Sequence, residues 1–136
     1  MDKIKGIIDT DIGSDIDDVL CLAYVLSEPR FEIPGITTRS SEPWKRAEIA
    51  DSVCRTAGRS IPIFVGCDKP LSSAQKQTAV HQYPVVKSLP HSIYPKENRA
   101  VGFMKNAIER YPGEVVVLAI GPLTNIGTLL FSEKCL

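Results

Sequence analysis

Ile4-Lys5-Gly6-Ile7-Ile8-Asp9-Thr10-Asp11-Ile12-Gly13-Ser14-Asp15-Ile16-Asp17-Asp18 is the stretch whose reading decides the fold. The apolar segment 4–8 runs directly into five carboxylates within ten residues, and a helical pattern follows at Val19, Leu22, Ala23 and Leu26. That order reads as a strand, a tight turn and the opening of a helix over 15–27, which stops before Pro29. Like charges packed this densely repel one another. A hard cation that takes several oxygen ligands, Ca²⁺ above all, removes the repulsion. Helix chemistry offers a second reading, with Asp15 as N-cap and Asp17 and Asp18 in the first turn, where the free N–H groups favour acids. Capping does not account for Asp9 and Asp11, which lie at the carboxyl end of a buried strand, where open α/β sheets place their ligands.

Outward from this turn, strand and helix patterns alternate. Residues 31–38 read as a second strand that Pro34 and Gly35 weaken. Its polar end, Thr37 to Glu42, opens on the same edge as the acidic turn. Residues 44–58 carry Ala47, Ala50, Cys54 and Ala57 at helical spacing, with Gly58 closing the helix. Residues 61–65 form a short β-branched and aromatic strand. The pattern then disappears over 67–98, a proline-interrupted loop of the length that serves as a lid or binding loop. His81 and His91 sit in it; either could act as an acid on a substrate, but solvated side chains are the default for isolated loop histidines. A helix face at Met104, Ala107, Ile108 and Tyr111, an apolar strand over 114–119 and a helix after Gly121-Pro122 complete the chain. Four strands linked by helices predict an α/β fold with an open, mostly parallel, Rossmann-like sheet and helices on both faces, as a single domain over 1–136.

Composition narrows the function. Sixteen basic residues balance sixteen acidic ones, which leaves no electrostatic footprint for nucleic acid or an anionic membrane, and points to a small ligand. No apolar run is long enough to span a bilayer. Cys21, Cys54, Cys67 and Cys135 are too widely spaced for a zinc site and suit a reducing compartment. With Met1-Asp2-Lys3 running straight into a strand and no signal peptide, the expected location is cytoplasmic.

Two familiar acidic motifs fit the turn poorly. An EF-hand counted from Asp9 needs glycine at the sixth position and glutamate at the twelfth, where this chain has Ser14 and Leu20. A haloacid-dehalogenase-like phosphohydrolase uses strand-Asp-x-Asp, which Asp9-Thr10-Asp11 satisfies, but it leaves Asp15, Asp17 and Asp18 without a role.

The turn more closely resembles the N-terminal fingerprint of the inosine/uridine-preferring nucleoside hydrolases. Further matches follow in order: Gly35-Ile36-Thr37-Thr38, Val65-Gly66-Cys67-Asp68-Lys69-Pro70-Leu71 and Gly121-Pro122-Leu123-Thr124-Asn125-Ile126. The resemblance implies a Ca²⁺-dependent enzyme of purine or pyrimidine nucleoside catabolism that cleaves the N-glycosidic bond of ribonucleosides. It implies Asp11, Asp18 and the backbone carbonyl of Ile120 as metal ligands. Asp11 would also be the general base on the metal's water. Asp17 would hold the ribose hydroxyls, with Asp15 and Glu42 as further substrate contacts, and Asp9 would support the turn from behind.

This chain departs from the family pattern at Ser14-Asp15-Ile16, which separate the glycine from the paired acids. Family members are also considerably longer, and their C-terminal half supplies a further aspartate ligand and a histidine. The chain is therefore expected to be an N-terminal portion of such an enzyme, or a truncated relative acting as a binding or interaction module. An open flank on strand 114–119 and a homo-oligomeric or poorly soluble product are expected with it.

Overall fold

A computed structural model describes residues 3–133. β1 (Ile4–Thr10) lies inside a five-stranded sheet whose pairings are all parallel. Along one edge it pairs first with β2 (Phe31–Glu32) and then with β3 (Ile36–Thr38), and β4 (Ile63–Val65) continues outward from β3. Its other edge pairs with β5 (Val115–Ala119) over Lys5 to Asp9. The α/β class and the parallel sheet follow the expectation.

The expected strand over 31–38 is two strands. Pro34 has no N–H to give to the ladder, and Gly35 lies so close beneath the stacked Phe64 and Phe103 rings that an added Cβ would stand 2.5 Å from Phe103 Cζ. The break lets one edge of β1 take two short partners in sequence.

Ile7 and Ile8 point to opposite faces of the sheet, as strand alternation requires. Ile8 joins a core with α1 (Asp17–Ser27) and α2 (Pro43–Thr56), while Ile7 packs against α4 (Ala100–Arg110) and α5 (Thr124–Glu133). Helices therefore cover both faces. On α2 the small residues Ala47, Ala50 and Cys54 are fully buried. Gly58 (φ 68°) ends the helix in a Schellman arrangement, with Arg59 N bonded to Cys54 O at 2.9 Å and Gly58 N to Arg55 O at 3.0 Å.

Residues 67–98 are not structureless. They contain α3 (Tyr83–Val86), and Val80 and Val86 enter the core. Glu48 and Asp51 of α2 hold this segment: Tyr83 Oη donates to Glu48 Oε2 at 2.7 Å, and Ser92 N to Asp51 Oδ2 at 2.6 Å. Among the described residues no helix is long and apolar enough to cross a membrane, and Cys21, Cys54 and Cys67 are free thiols; Cys135 lies outside them.

Candidate active site

The carboxyl ends of β1, β3 and β5 meet at one edge of the sheet, and the acidic turn leaves β1 there. Asp9, the ninth residue and still within β1, is fully buried; its Oδ1 accepts from Thr37 Oγ1 at 2.7 Å and Asn125 Nδ2 at 2.8 Å. Burial pushes its carboxyl pKa up, against the pull of those two donors. With no exposed face, Asp9 cannot attack a phosphate, which removes the dehalogenase-like reading.

Beyond Asp9 the turn opens into a polar cavity of about 180 Å³, lined by Asp11, Ser14, Asp15, Asp17, Asp18, Gln77, Ile120, Gly121 and Pro122. Thr10 ties the turn together from behind the cavity, because its hydroxyl accepts from Ile12 N at 3.0 Å and donates to Asp18 Oδ2. Asp18 is nearly buried, and its pKa is raised, first by burial and then by the neighbouring charges of Asp11 and Asp17, although the Thr10 hydrogen bond opposes the rise. The opposite lip is the turn after β5, fastened by Ile120 N to Asp9 O at 2.9 Å. Glycine is required on that lip: a Cβ at Gly121 would stand 2.5 Å from Asp11 Oδ1. A second cavity of about 210 Å³ adjoins the first, sharing Gln77 and Pro122, and includes Arg39, Ser40 and residues 73–77 in its walls.

The expected helix start at Asp15 is corrected to Asp17, with Ile16 as an N-cap that forms no side-chain cap. Residues 13–15 belong instead to a turn tied to the long loop. Gln82 N donates to Gly13 O at 2.9 Å, Gln82 Nε2 to Asp15 O at 3.0 Å, and Ser14 Oγ to Ala79 O at 3.1 Å. Gly13 adopts φ 119°, a conformation open to glycine, with Val80 and Ile49 pressed against it.

Of the site residues expected from sequence, Asp11, Asp15, Asp17, Asp18 and Ile120 come together in the acidic cavity. Glu42 does not. It precedes α2 in the left-handed region (φ 55°), where its carboxylate pairs with Lys45 and its N–H donates to Asp68 Oδ1 at 3.1 Å. Neither histidine lines the cavity: His81 is exposed, and His91 lies against α2, with Nε2 3.4 Å from Glu48 Oε2.

Three residues around the site have a role that the sequence reading did not assign. Asn125 joins four segments, accepting from Cys67 N at 2.8 Å while donating to Asp9 and to Thr38 O. Arg39 and Arg46 are fully buried guanidiniums beside the acids. Arg39 Nη1 donates to Pro122 O; Arg46 Nη1 donates to Asp11 O, to Ile12 O at 3.1 Å and to Ser14 Oγ at 3.1 Å, and its Nε donates to Ser41 O at 2.9 Å. Burial pulls both guanidinium pKa values down while the Asp11 charge holds them up, so both stay protonated. A signal for Arg46 was present: it shares the i, i+4, i+8 stripe of α2 with Ala50 and Cys54.

Among the described residues, no three His, Cys, Asp or Glu side chains gather into a ready metal cage. What the cavity offers is hard oxygen on two lips, with dense negative charge between them.

Known proteins carry the same arrangement of sequence and fold. A probable uridine nucleosidase 1 of Oryza sativa subsp. japonica is 36% identical over 131 residues, covering 90% of this chain and 40% of the relative. A non-specific ribonucleoside hydrolase of Escherichia fergusonii is 31% identical over 137 residues, covering 94% and 43%. Among solved structures, a plant nucleoside hydrolase superposes with a TM-score of 0.74 at 23% identity, over 96% of this chain and 43% of that one. An inosine-guanosine nucleoside hydrolase gives 0.69 at 27%, over 96% and 44%. The chain thus spans about two fifths of the length of these relatives. The model of the inosine-uridine preferring nucleoside hydrolases matches residues 6–135, from within β1 to beyond α5, and on that match this chain belongs to that family.

Proposed function

We propose that this chain carries the cation- and ribose-binding portion of a nucleoside N-ribohydrolase, the N-terminal part of the family's domain. One observation carries the reading: Asp11, Asp15, Asp17, Asp18 and Ile120 line a single cavity at the carboxyl ends of β1 and β5. The names of the relatives, uridine nucleosidase and ribonucleoside hydrolase, supply the substrate class.

The residues present suit a calcium ion. Asp11 and Asp18 with the Ile120 carbonyl are a hard oxygen set, and the absence of a side chain at Gly121 lets the Asp11 carboxylate lie directly against the lip that carries that carbonyl. When bound, such an ion would lower the pKa of a water and so supply a nucleophile at neutral pH. Asp11 takes the proton as the water oxygen bonds to C1′ of the ribose. The C1′–N bond breaks and its electron pair leaves with the base. Asp17 and Asp15 hold the sugar hydroxyls, and the carboxylates together stabilise the positive charge that builds on the anomeric carbon. The adjoining cavity beside Arg39 and residues 73–77 receives the base.

Calorimetry with Ca²⁺ tests the ligand set: Asp18→Ala abolishes binding and Ser14→Ala retains it. The same protein completed to the length of its relatives releases ribose from uridine or inosine. Ca²⁺ binding without ribose release from the completed protein would leave a binding module in place of an enzyme.

A further inference from the structure

Arg39 and Arg46 are buried to a degree that arginine seldom reaches without a carboxylate partner, yet neither forms a direct ion pair with one among the described residues. Arg39 Nε and Arg46 Nη2 meet no hydrogen-bond acceptor there either. Arg39 Nη2 donates to Ser40 Oγ at 2.8 Å and Arg46 Nε to Ser41 O at 2.9 Å, which anchors both side chains in the segment after β3, while the Nη1 donor of each reaches a lip of the acidic cavity. Arg46 grips the lip that carries Asp11, through Asp11 O and Ile12 O, and reaches Ser14 Oγ on the same lip. Arg39 grips the opposite lip, through Pro122 O, two residues beyond Ile120.

We propose that Arg39 and Arg46 are a pair of positioning residues that hold the two lips of the acidic cavity in register, so that cation affinity depends on residues that do not ligate the ion. This rests on the cation reading of the cavity given above.

Two effects of opposite sign meet here. A buried positive charge beside the site repels a cation, whereas a clamp on the ligand-bearing backbone favours it by fixing its donors. Lysine separates them, because it keeps the charge but is a point donor that cannot span the fork of acceptors. Arg46→Lys and Arg39→Lys are therefore compared with Arg46→Met and Arg39→Met. Calcium affinity is read by calorimetry at a temperature where circular dichroism shows each variant folded. Amide hydrogen exchange is followed over 11–16 and 120–124.

The expected result is a loss of Ca²⁺ affinity of about 10-fold or more in the Lys variants, the usual consequence of removing a residue that orients a ligand. Exchange should rise over 11–16 for Arg46→Lys and over 120–124 for Arg39→Lys, with α4 unchanged. Unaltered affinity in the Lys variants with tighter binding in the Met variants would overturn the clamp and leave charge alone. Unaltered exchange over both lips would overturn it whatever the affinity. A wild-type chain that binds no Ca²⁺, together with raised local exchange in the Lys variants, would support the clamp and remove the cation reading instead.

Discussion

Asn125 Nδ2 lies 2.8 Å from Asp9 Oδ1, a hydrogen bond between residues 116 positions apart that fastens the first turn of α5 to the end of β1. The same side chain serves Cys67 N and Thr38 O, so β1, β3, the start of the long loop and α5 meet at one buried amide. Asn125→Ala leaves a buried carboxylate, a carbonyl and an N–H short of a partner. It is expected to cost roughly 2–4 kcal/mol of stability, against about 0.5 or less for Asn106→Ala on the exposed side of α4. Urea unfolding of the two variants measures the difference.

Gly121 bears on the site and not on the core. A methyl group there would meet Asp11 Oδ1 at 2.5 Å, and the carboxylate, as the movable partner, has to turn away. Gly121→Ala should therefore weaken Ca²⁺ binding while the unfolding midpoint changes little. Calorimetry and thermal melting on the same sample check both halves; unchanged affinity counts against Asp11 as a ligand.

How much of this was legible in advance depends on the range of the interactions. The acidic turn could be read because its meaning lies in neighbouring residues: a strand, a cluster of like charges and a helix start. The break at Pro34 and Gly35 announced itself in the same local way. Arg46 was legible only in part: its spacing from Ala50 and Cys54 puts it on the buried stripe of α2, but the carbonyls of Asp11 and Ile12 that it serves there lie 35 and 34 positions away. Residues 67–98 resisted for a similar reason. Val80 and Val86 sit in short apolar pairs, Ala79-Val80 and Val85-Val86, too brief to show a period, and the partners that order the segment, Glu48 and Asp51, sit on another element. Glu42 was expected at the site from its place after the second strand, but its left-handed backbone and its pairing with Lys45 direct it elsewhere.

Alkaline pH should weaken the fold through two groups far from the acidic turn. Burial pushes the Cys54 thiol up from 9.0 to about 11, and burial pushes the Tyr94 hydroxyl up from 10.0 to about 12. Each binds its proton more tightly folded than unfolded, so its contribution is complete below the unfolded pKa and is lost as pH rises through the folded one. Stability is expected to fall from about pH 9 to 12, and Cys54→Ala should flatten the earlier part of that decline, between about 9 and 11. Urea midpoints across this range report it.

β5 pairs only with β1 among the described residues, and its sequence, Val115-Val116-Val117-Leu118-Ala119, has none of the lysines, prolines or bulges that protect exposed edges. Val116 is half exposed, as are Leu130 and Phe131 on α5. The 136-residue chain should therefore self-associate, and Val116→Lys should shift it toward monomer in sedimentation velocity. A monodisperse wild-type monomer would show that this edge is protected by other means.

The hydrogen bonds between the acidic turn and residues 77–82 have a consequence for how such sites diverge. Ser14 and Asp15 are held by Ala79, Gln77 and Gln82, so the turn takes its shape from a segment more than sixty positions downstream. The two can be exchanged between relatives only together. A chimera that receives 11–16 alone would leave Asp15 O without its Gln82 Nε2 donor and would inherit the acids without their arrangement. One that receives 77–82 as well carries the whole device.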